Sequence, residues 1–366
     1  MKALLLGLLL CLSASAQAAD WVVEPGQSLA QTLQRAADGD SISLKAGDYR
    51  GQVAVITHQR LTLRGMGGRA VLHADGQIAE GKAILVVRGG DIRIENLEFR
   101  GARVPEKNGA GIRFERGRLV VSRCVFGDNE KSILTANVGT AELVVEDSEF
   151  GEAPPHSQLP HLVYVGQIAR FTLSNSRVGG GDHGHLVKSR ARENVIRNNR
   201  LVDGPGGRAA YELEFPNGGL AWVVGNVIAQ SADSSNPAIV SFGAEGAVDD
   251  REQGLFMAHN TLINAGDKPA IFVHLHPLGG RLVEQRFVNN LVLGPGTVEG
   301  ALADAAQGNV MGPVSVLDAS GALPYALRAG SPLRGRGVEP GAARGVPLRL
   351  PAGAAPGWTP GAYPST

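Results

Sequence analysis

The residues best suited to chemistry lie in three short segments where polar side chains alternate with apolar ones. Because side chains of a strand alternate between its two faces, Lys188 and Arg190 are predicted to point outward together. The same alternation places Glu212 and Glu214 outward on a following strand, and Tyr164 outward on a preceding one. The sequence therefore predicts an exposed group of one tyrosine, two cations and two carboxylates.

The spacing of these segments predicts that their outward side chains are neighbours. A sequence phrase of the form apolar-x-x-(Asn or small)-x-apolar recurs along the chain. Tyr164, Lys188 and Glu214 each lie 11 or 12 residues before the fourth position of one copy of this phrase. If successive phrases stack, the three side chains fall about 5 Å apart, one per layer. His185 is expected beside them as a further catalytic group, and the surrounding substrate-binding groups are expected to be His161, His183, Arg208, Glu245 and His274.

This collection of groups fits β-elimination on a uronic-acid polymer. That reaction needs a cation to neutralise the sugar carboxylate, a base for the C5 proton and an acid for the leaving oxygen. Arg190 or Arg208 would neutralise the carboxylate. Lys188, with its pKa lowered by burial or a nearby cation, or a histidine would be the base. Tyr164 would be the acid or the base.

Other interpretations of the same residues remain open. Glu212 and Glu214, roughly 7 Å apart on one strand face, fit the acid and base of a glycoside hydrolase. Ion pairs between Lys188, Arg190 and these carboxylates could also simply stabilise an exposed sheet. A polysaccharide epimerase and a non-catalytic carbohydrate-binding or cell-surface protein are further alternatives. Asp182 and His185 have a spacing that would suit two metal ligands.

The elements that position these residues are predicted by an internal repeat. A phrase of the form apolar-x-x-(Asn or small)-x-apolar recurs eight times, at intervals of 23 to 34 residues. Each repeat holds short strands with alternating apolar residues and no long helix, which predicts a right-handed parallel β-helix of roughly 9–11 coils. The side-chain amides at the fourth position are expected to form a ladder along the solenoid. Its members are Asn199, Asn226, Asn260 and Asn290.

The two ends of the chain differ from the repeats. An apolar run follows Lys2 and a small-x-small site precedes residue 19, so residues 1–18 are predicted to be a signal peptide. Residues 19–45 are predicted to cap the solenoid through an amphipathic helix with Ser28 as its N-cap. The β-helix is assigned to residues 46–310, and residues 311–366 to an irregular tail covering the far end.

Composition narrows the function classes. The chain has 366 residues, 35 basic and 35 acidic, and this zero net charge argues against a dedicated nucleic-acid binder. No segment is long and apolar enough for a membrane helix. Cys124, in an apolar strand pattern, is expected to be a structural thiol.

The chain resembles the exported bacterial right-handed parallel β-helix proteins of the pectate-lyase-like superfamily. The resemblance is carried by residues 23–49, by the repeated phrase, and by the closing segments 329–333 and 360–363. It implies a groove for a linear polysaccharide, but the calcium-binding aspartate motif of pectate lyases is not matched. We therefore expect no cofactor, with calcium left open.

The sequence thus predicts an exported, periplasmic or secreted, monomeric protein that acts on an acidic polysaccharide. A lyase is favoured over the epimerase, hydrolase and binding-protein alternatives.

Overall fold

The chain folds into a parallel β-solenoid of about nine turns, with little helix. The computed structural model describes residues 18–154, 161–279, 283–299, 307–318, 324–350 and 358–363. The predicted signal peptide lies almost wholly outside these residues. In the described part of the chain, no helix has the length and apolar character needed to cross a membrane.

One face of the solenoid is a sheet of ten parallel strands, which carries the predicted site. Successive coils contribute one strand each, so the order in the sheet follows the order in the chain. The strands are Ala54–Ile56, Ala83–Val87, Ala110–Phe114, Lys131–Thr135, Val163–Val165, His185–Ser189, Tyr211–Phe215, Ala238–Phe242, Ala270–Leu275 and Gly296–Thr297.

Two further stacks of parallel strands close the coil, and they join through the long strands Ser41–Arg50 and Arg60–His73. One stack contains Asp20–Val23, Asp91–Glu95, Arg118–Ser122, Glu142–Glu146, Arg170–Ser174, Glu193–Arg197, Leu220–Val224, Gly254–Ala258 and Glu284–Val288. The other contains Leu97–Arg100, Val125–Gly127, Glu149–Gly151, Arg177–Val178, Arg200–Val202, Val227–Gln230, Thr261–Asn264, Leu291–Leu293 and Val310–Gly312.

Apolar side chains from all three stacks fill the interior. Phe99, Phe126 and Phe150 stack on successive coils, with ring centroids 5.0 and 4.8 Å apart. Cys124 is fully buried, and burial raises the pKa of its thiol to about 12. It is therefore an inert packing residue, as the sequence predicted.

The predicted asparagine ladder is present at the corner between the two smaller stacks. From Asn226 onward, each amide oxygen accepts hydrogen bonds from the backbone and side-chain nitrogens of the preceding member, at 2.9–3.1 Å. The ladder comprises Asn199, Asn226, Asn260, Asn290 and, one coil further, Asn309. The residue before a ladder asparagine has a left-handed backbone, for example Asn198 (φ 54°) and Asn289 (φ 55°).

The N-terminal helix spans Leu29–Arg35, and Ser28 caps it by accepting a hydrogen bond from Gln31 N, as the sequence predicted. Leu29 and Leu33 are buried against the first coils.

The described part of the tail contains a short 3₁₀ turn, Val314–Val316, and the hairpin strands Ala342–Ala343 and Val346–Pro347. We expected this tail to cover the far end of the solenoid. The described tail residues pack along the outer faces of the later coils, where Leu348 contacts a cluster that includes Trp222 and Phe256, and coverage of the far end stays a prediction. These coils present apolar side chains outward, so the tail covers their sides.

Candidate functional site

The ten-stranded sheet brings together the column predicted from spacing. Tyr164 pairs in register with Lys188, and Lys188 with Glu214. The column continues through Ser241 to His274 on the following coils. The count from the repeat phrase therefore predicted the register of three coils, because each coil keeps nearly the same length between this strand and the asparagine corner.

The prediction that Glu212 points outward beside Glu214 is wrong. In the two neighbouring strands, His185 pairs with Tyr211 and Val187 pairs with Leu213, but the residues between them, Leu186 and Glu212, do not pair. The same skipped pair recurs along the sheet, for example between Ala83 and Leu85 and between Ala238 and Val240, and it turns one extra residue into the core. Residues turned inward in this way include Leu162, Leu186, Glu212 and Ile239.

The carboxyl of Glu212 consequently lies inside the solenoid. The residue is fully buried, and neither carboxyl oxygen has a hydrogen-bond partner among the described residues. Burial raises the pKa of Glu212 well above its ordinary value, and the nearby Asp203 carboxylate raises it further. Glu212 is therefore a neutral acid facing the core. It cannot pair with Glu214 as the second carboxylate of a glycosidase.

The same irregularity turns the residue before it outward, which places His185 on the outer face. Its Nδ1 lies 2.9 Å from Glu214 Oε2, off the ideal hydrogen-bond direction. Burial lowers the pKa of His185 below its ordinary value, although Glu214 opposes this shift. Nε2 accepts or donates no hydrogen bond within the part of the chain that the structure describes. The imidazole is therefore neutral, and a proton on Nδ1 facing Glu214 would leave Nε2 as a base.

Lys188 is held between two carboxylates. Its Nζ lies 3.0 Å from Glu214 Oε2 and 2.9 Å from Glu245 Oε1. Burial disfavours the ammonium, but the two carboxylates outweigh burial and raise the pKa of Lys188. The sequence-based prediction of a lowered lysine pKa is therefore wrong, and Lys188 is a cation rather than a base in this structure.

Arg190 joins the column to residues 243–253, the loop between the strands Ala238–Phe242 and Gly254–Ala258, which we call the inserted loop. Its Nη1 lies 2.7 Å from Glu245 Oε2, and Nη2 donates to Glu245 Oε1 at 2.9 Å. Its Nε donates to the Tyr164 hydroxyl at 3.2 Å, and Nη1 also donates to Asn217 Oδ1 at 2.7 Å. Because the Tyr164 oxygen accepts from a cation, its own O–H remains available as a donor.

We call Tyr164, His185, Lys188, Arg190, Glu214 and Glu245 the Lys188 patch. His161 borders it, with its ring centroid 4.5 Å from that of His185. Its Nδ1 accepts a hydrogen bond from His185 N, so the neutral ring carries its proton on Nε2. Burial and the neighbouring His185 lower the pKa of His161 to about 2, so it does not titrate near neutral pH.

Three predicted site residues lie apart from the patch. Arg208 contacts Asp182 as an ion pair, and the exposed His183 lies 3.7 Å from the same carboxylate. His274 packs against His276 at 3.9 Å between ring centroids, separated from Glu214 by Ser241. Asp182 is paired with Arg208, whereas His185 lies beside Glu214.

Two residues of the site escaped sequence reasoning. Asn217, in the turn after the strand of Glu214, is buried and donates from Nδ2 to Gly246 O, which links Arg190 to the inserted loop. Tyr211 is half-buried with its ring edge-on to His185, at 4.9 Å between centroids.

Across the described ranges, no group of three or more His, Cys, Asp or Glu side chains is arranged to hold a metal ion.

The fold is similar to those of known proteins. The chain is similar to the crystal structure of pectate lyase Pel9A, with 14% identity, 95% of this chain and 96% of that chain covered, and a TM-score of 0.66. It also matches the structure of the PL6 family alginate lyase AlyGC, with 16% identity, 77% and 40% coverage, and a TM-score of 0.45. No protein-family model matches the chain, and no curated protein matches it. The protein therefore has the fold of the pectate-lyase-like parallel β-helices.

Proposed function

We propose that this protein is a polysaccharide lyase that cleaves a uronate-containing polymer by β-elimination at the Lys188 patch. The observation that carries the proposal is one compact arrangement of two cations and a carboxylate-paired neutral imidazole on the ten-stranded sheet. A flat parallel sheet repeated over many coils suits a linear polymer, and the patch lies near its middle.

The roles follow from the geometry. Arg190 and Lys188 neutralise the uronate carboxylate, which makes the adjacent C5 proton acidic. His185 Nε2 removes that proton, while Glu214 beside Nδ1 stabilises the imidazolium that forms. The electron pair of the C5–H bond forms the C4–C5 double bond, and the C4–O bond breaks. Tyr164 donates its hydroxyl proton to the leaving oxygen.

The likeness to pectate lyase Pel9A supports this proposal at the level of fold. We also propose, from the predicted signal peptide, that the protein is exported to the periplasm or beyond, and that it acts as a monomer.

The test is an absorbance screen of the mature protein on alginate, pectate, glucuronan and glycosaminoglycans, with added calcium and with chelator. A lyase leaves an unsaturated uronate, so near-ultraviolet absorbance rises on at least one polymer. Loss of that rise with chelator would add calcium to the site. New reducing ends without absorbance would contradict the proposal in favour of a hydrolase. Silence in both assays would favour an epimerase or a binding protein.

A further inference from the structure

The carboxylate of Glu245 is bound in the way that a substrate carboxylate would be. Its Oε2 lies 2.7 Å from Arg190 Nη1, and its Oε1 lies 2.9 Å from both Arg190 Nη2 and Lys188 Nζ. A guanidinium fork that engages both oxygens of a carboxylate is a strong and geometrically specific recognition mode for that group. The cations that bind substrate in the proposed function are therefore already occupied.

The charge count of the patch supports the same interpretation. Lys188 and Arg190 supply two positive charges, and Glu214 and Glu245 supply two negative ones. With His185 neutral and Glu245 bound to Arg190 and Lys188, the patch has no net charge to attract an anion. Removing one carboxylate would leave a single positive charge, which matches one uronate.

Only one of the two carboxylates is placed to leave. Glu214 is 3% exposed and sits beneath Lys188 and His185. The Glu245 side chain is 44% exposed and lies on the loop that lengthens its coil. Its backbone is held by a hydrogen bond from Glu245 N to Pro216 O, so rotation of the side chain alone would free the cations.

We propose that Glu245 is an internal substitute for the substrate carboxylate, and that a uronate displaces it to occupy a subsite formed by Arg190 and Lys188. This inference rests on the proposed function for its ligand class. A neutral sugar, or a uronate whose carboxyl is esterified, offers no charge to replace the one that leaves. Displacement of Glu245 therefore favours free uronates over neutral or esterified sugars, although it weakens the binding of the free uronate itself.

The test is binding of a free monouronate, such as galacturonate or glucuronate, measured by calorimetry or NMR titration. Glu245→Gln keeps the shape of the side chain and removes its charge. We expect it to bind the uronate roughly tenfold to a hundredfold more tightly than the wild type, because the competing charged contacts are lost. Glu245→Ala should show a gain at least as large. Neither variant should gain affinity for the methyl ester of the same sugar.

Glu252→Gln is the matched control. It removes the same charge from the same inserted loop, but Glu252 pairs with Arg344 at 2.8 Å, outside the patch. Its uronate affinity should equal that of the wild type. Unchanged or weaker uronate binding by both Glu245 variants would overturn the inference, as would an equal gain for the ester or for Glu252→Gln.

Binding of a monosaccharide needs no turnover, so the two proposals fail separately. A gain in uronate affinity without elimination on any polymer would keep the carboxylate subsite and reject the lyase. Elimination by the wild type without that gain would keep the lyase and assign Glu245 to positioning Arg190.

Discussion

The asparagine ladder and the Lys188 patch are both columns of polar groups made by stacking one coil on the next, but they satisfy their polar atoms differently. In the ladder, Asn226 and Asn260 repeat one chemical group, and each of their amide oxygens receives two hydrogen bonds from the coil before. In the patch each coil contributes a different group, and His185 Nδ1 and Glu214 Oε2 meet at short distance without good hydrogen-bond geometry. A repeated group stabilises the solenoid, whereas a column of unlike charges leaves bonding capacity for a ligand.

This comparison predicts that changes in the two columns have separable effects. Changes in the patch should alter turnover with modest effects on stability. Changes in the ladder should alter stability and leave the turnover of each folded molecule unchanged.

The largest effect is expected from His185→Gln. Loss of the base should lower kcat on the polymer found by the absorbance screen by about 10²–10⁴-fold. His73→Gln is the control, because His73 is paired with Asp48 on another face of the solenoid. Steady-state absorbance kinetics, with circular dichroism to verify folding, make the measurement. A kcat within a few-fold of wild type would remove His185 from the chemistry.

Asn226→Ala should have the next largest effect, this time on stability. It removes the acceptor of two hydrogen bonds from Asn199 and the donor to Ile196 O and Asn260 Oδ1, all buried. We expect the free energy of unfolding to fall by about 3–5 kcal/mol, since each orphaned group costs roughly 1–3 kcal/mol. Denaturant unfolding tests this, with the exposed Asn108→Ala as a control expected to be neutral. A loss below about 1 kcal/mol would mean that the ladder is not a main source of stability.

Glu212 is a buried polar residue that belongs neither to the asparagine ladder nor to the Lys188 patch. Glu212→Leu should raise the free energy of unfolding by about 1–3 kcal/mol at neutral pH, because it replaces an unpartnered buried carboxyl between Leu186 and Ile239. The pKa of Glu212 is raised in the folded state, so its contribution to stability is present below the unfolded pKa and is lost as pH rises. The advantage of Glu212→Leu should therefore grow above about pH 4.3.

Denaturant unfolding of wild type and Glu212→Leu at several pH values makes that comparison, with Glu142→Leu, on the exposed end of an outer strand, as control. A destabilised Glu212→Leu variant would show that the buried carboxyl has a partner and a structural role. A gain that does not vary with pH would show that Glu212 ionises normally in the folded protein.

The smallest effect concerns pH. Burial lowers the pKa of His185, and the proposed base must be neutral, so kcat/KM should persist below the ordinary histidine pKa of about 6.5 and fall only at more acidic pH. A pH profile of kcat/KM measures this. An acidic limb at or above pH 6.5 would indicate a different titrating group.

The comparison also explains which features could be predicted from the sequence. The ladder and the register of Tyr164, Lys188 and Glu214 follow from coil length, which a repeated phrase makes visible. The cap helix at Leu29–Arg35 follows from local periodicity and its N-cap residue.

The orientation of Glu212 and the charge state of Lys188 could not be predicted in the same way. The prediction from strict alternation assumes an uninterrupted strand. The extra inward residue of each coil is mostly apolar, as are the core residues beside it, so the sequence does not reveal the irregularity. The pKa of Lys188 depends on Glu245, which is 57 residues away in the chain and reaches it only through the fold. Pairwise electrostatics of this kind depends on tertiary structure rather than on local pattern.

The central claim is that the Lys188 patch binds and cleaves a uronate chain, and a crystal structure of His185→Gln with a bound oligouronate tests it most directly. We predict one sugar carboxylate against Arg190 and Lys188, with Glu245 turned away and C5 about 3–3.5 Å from the position of the missing Nε2. An oligosaccharide bound instead along another sheet, or at Asp182 and Arg208 with the patch still closed by Glu245, would contradict the account.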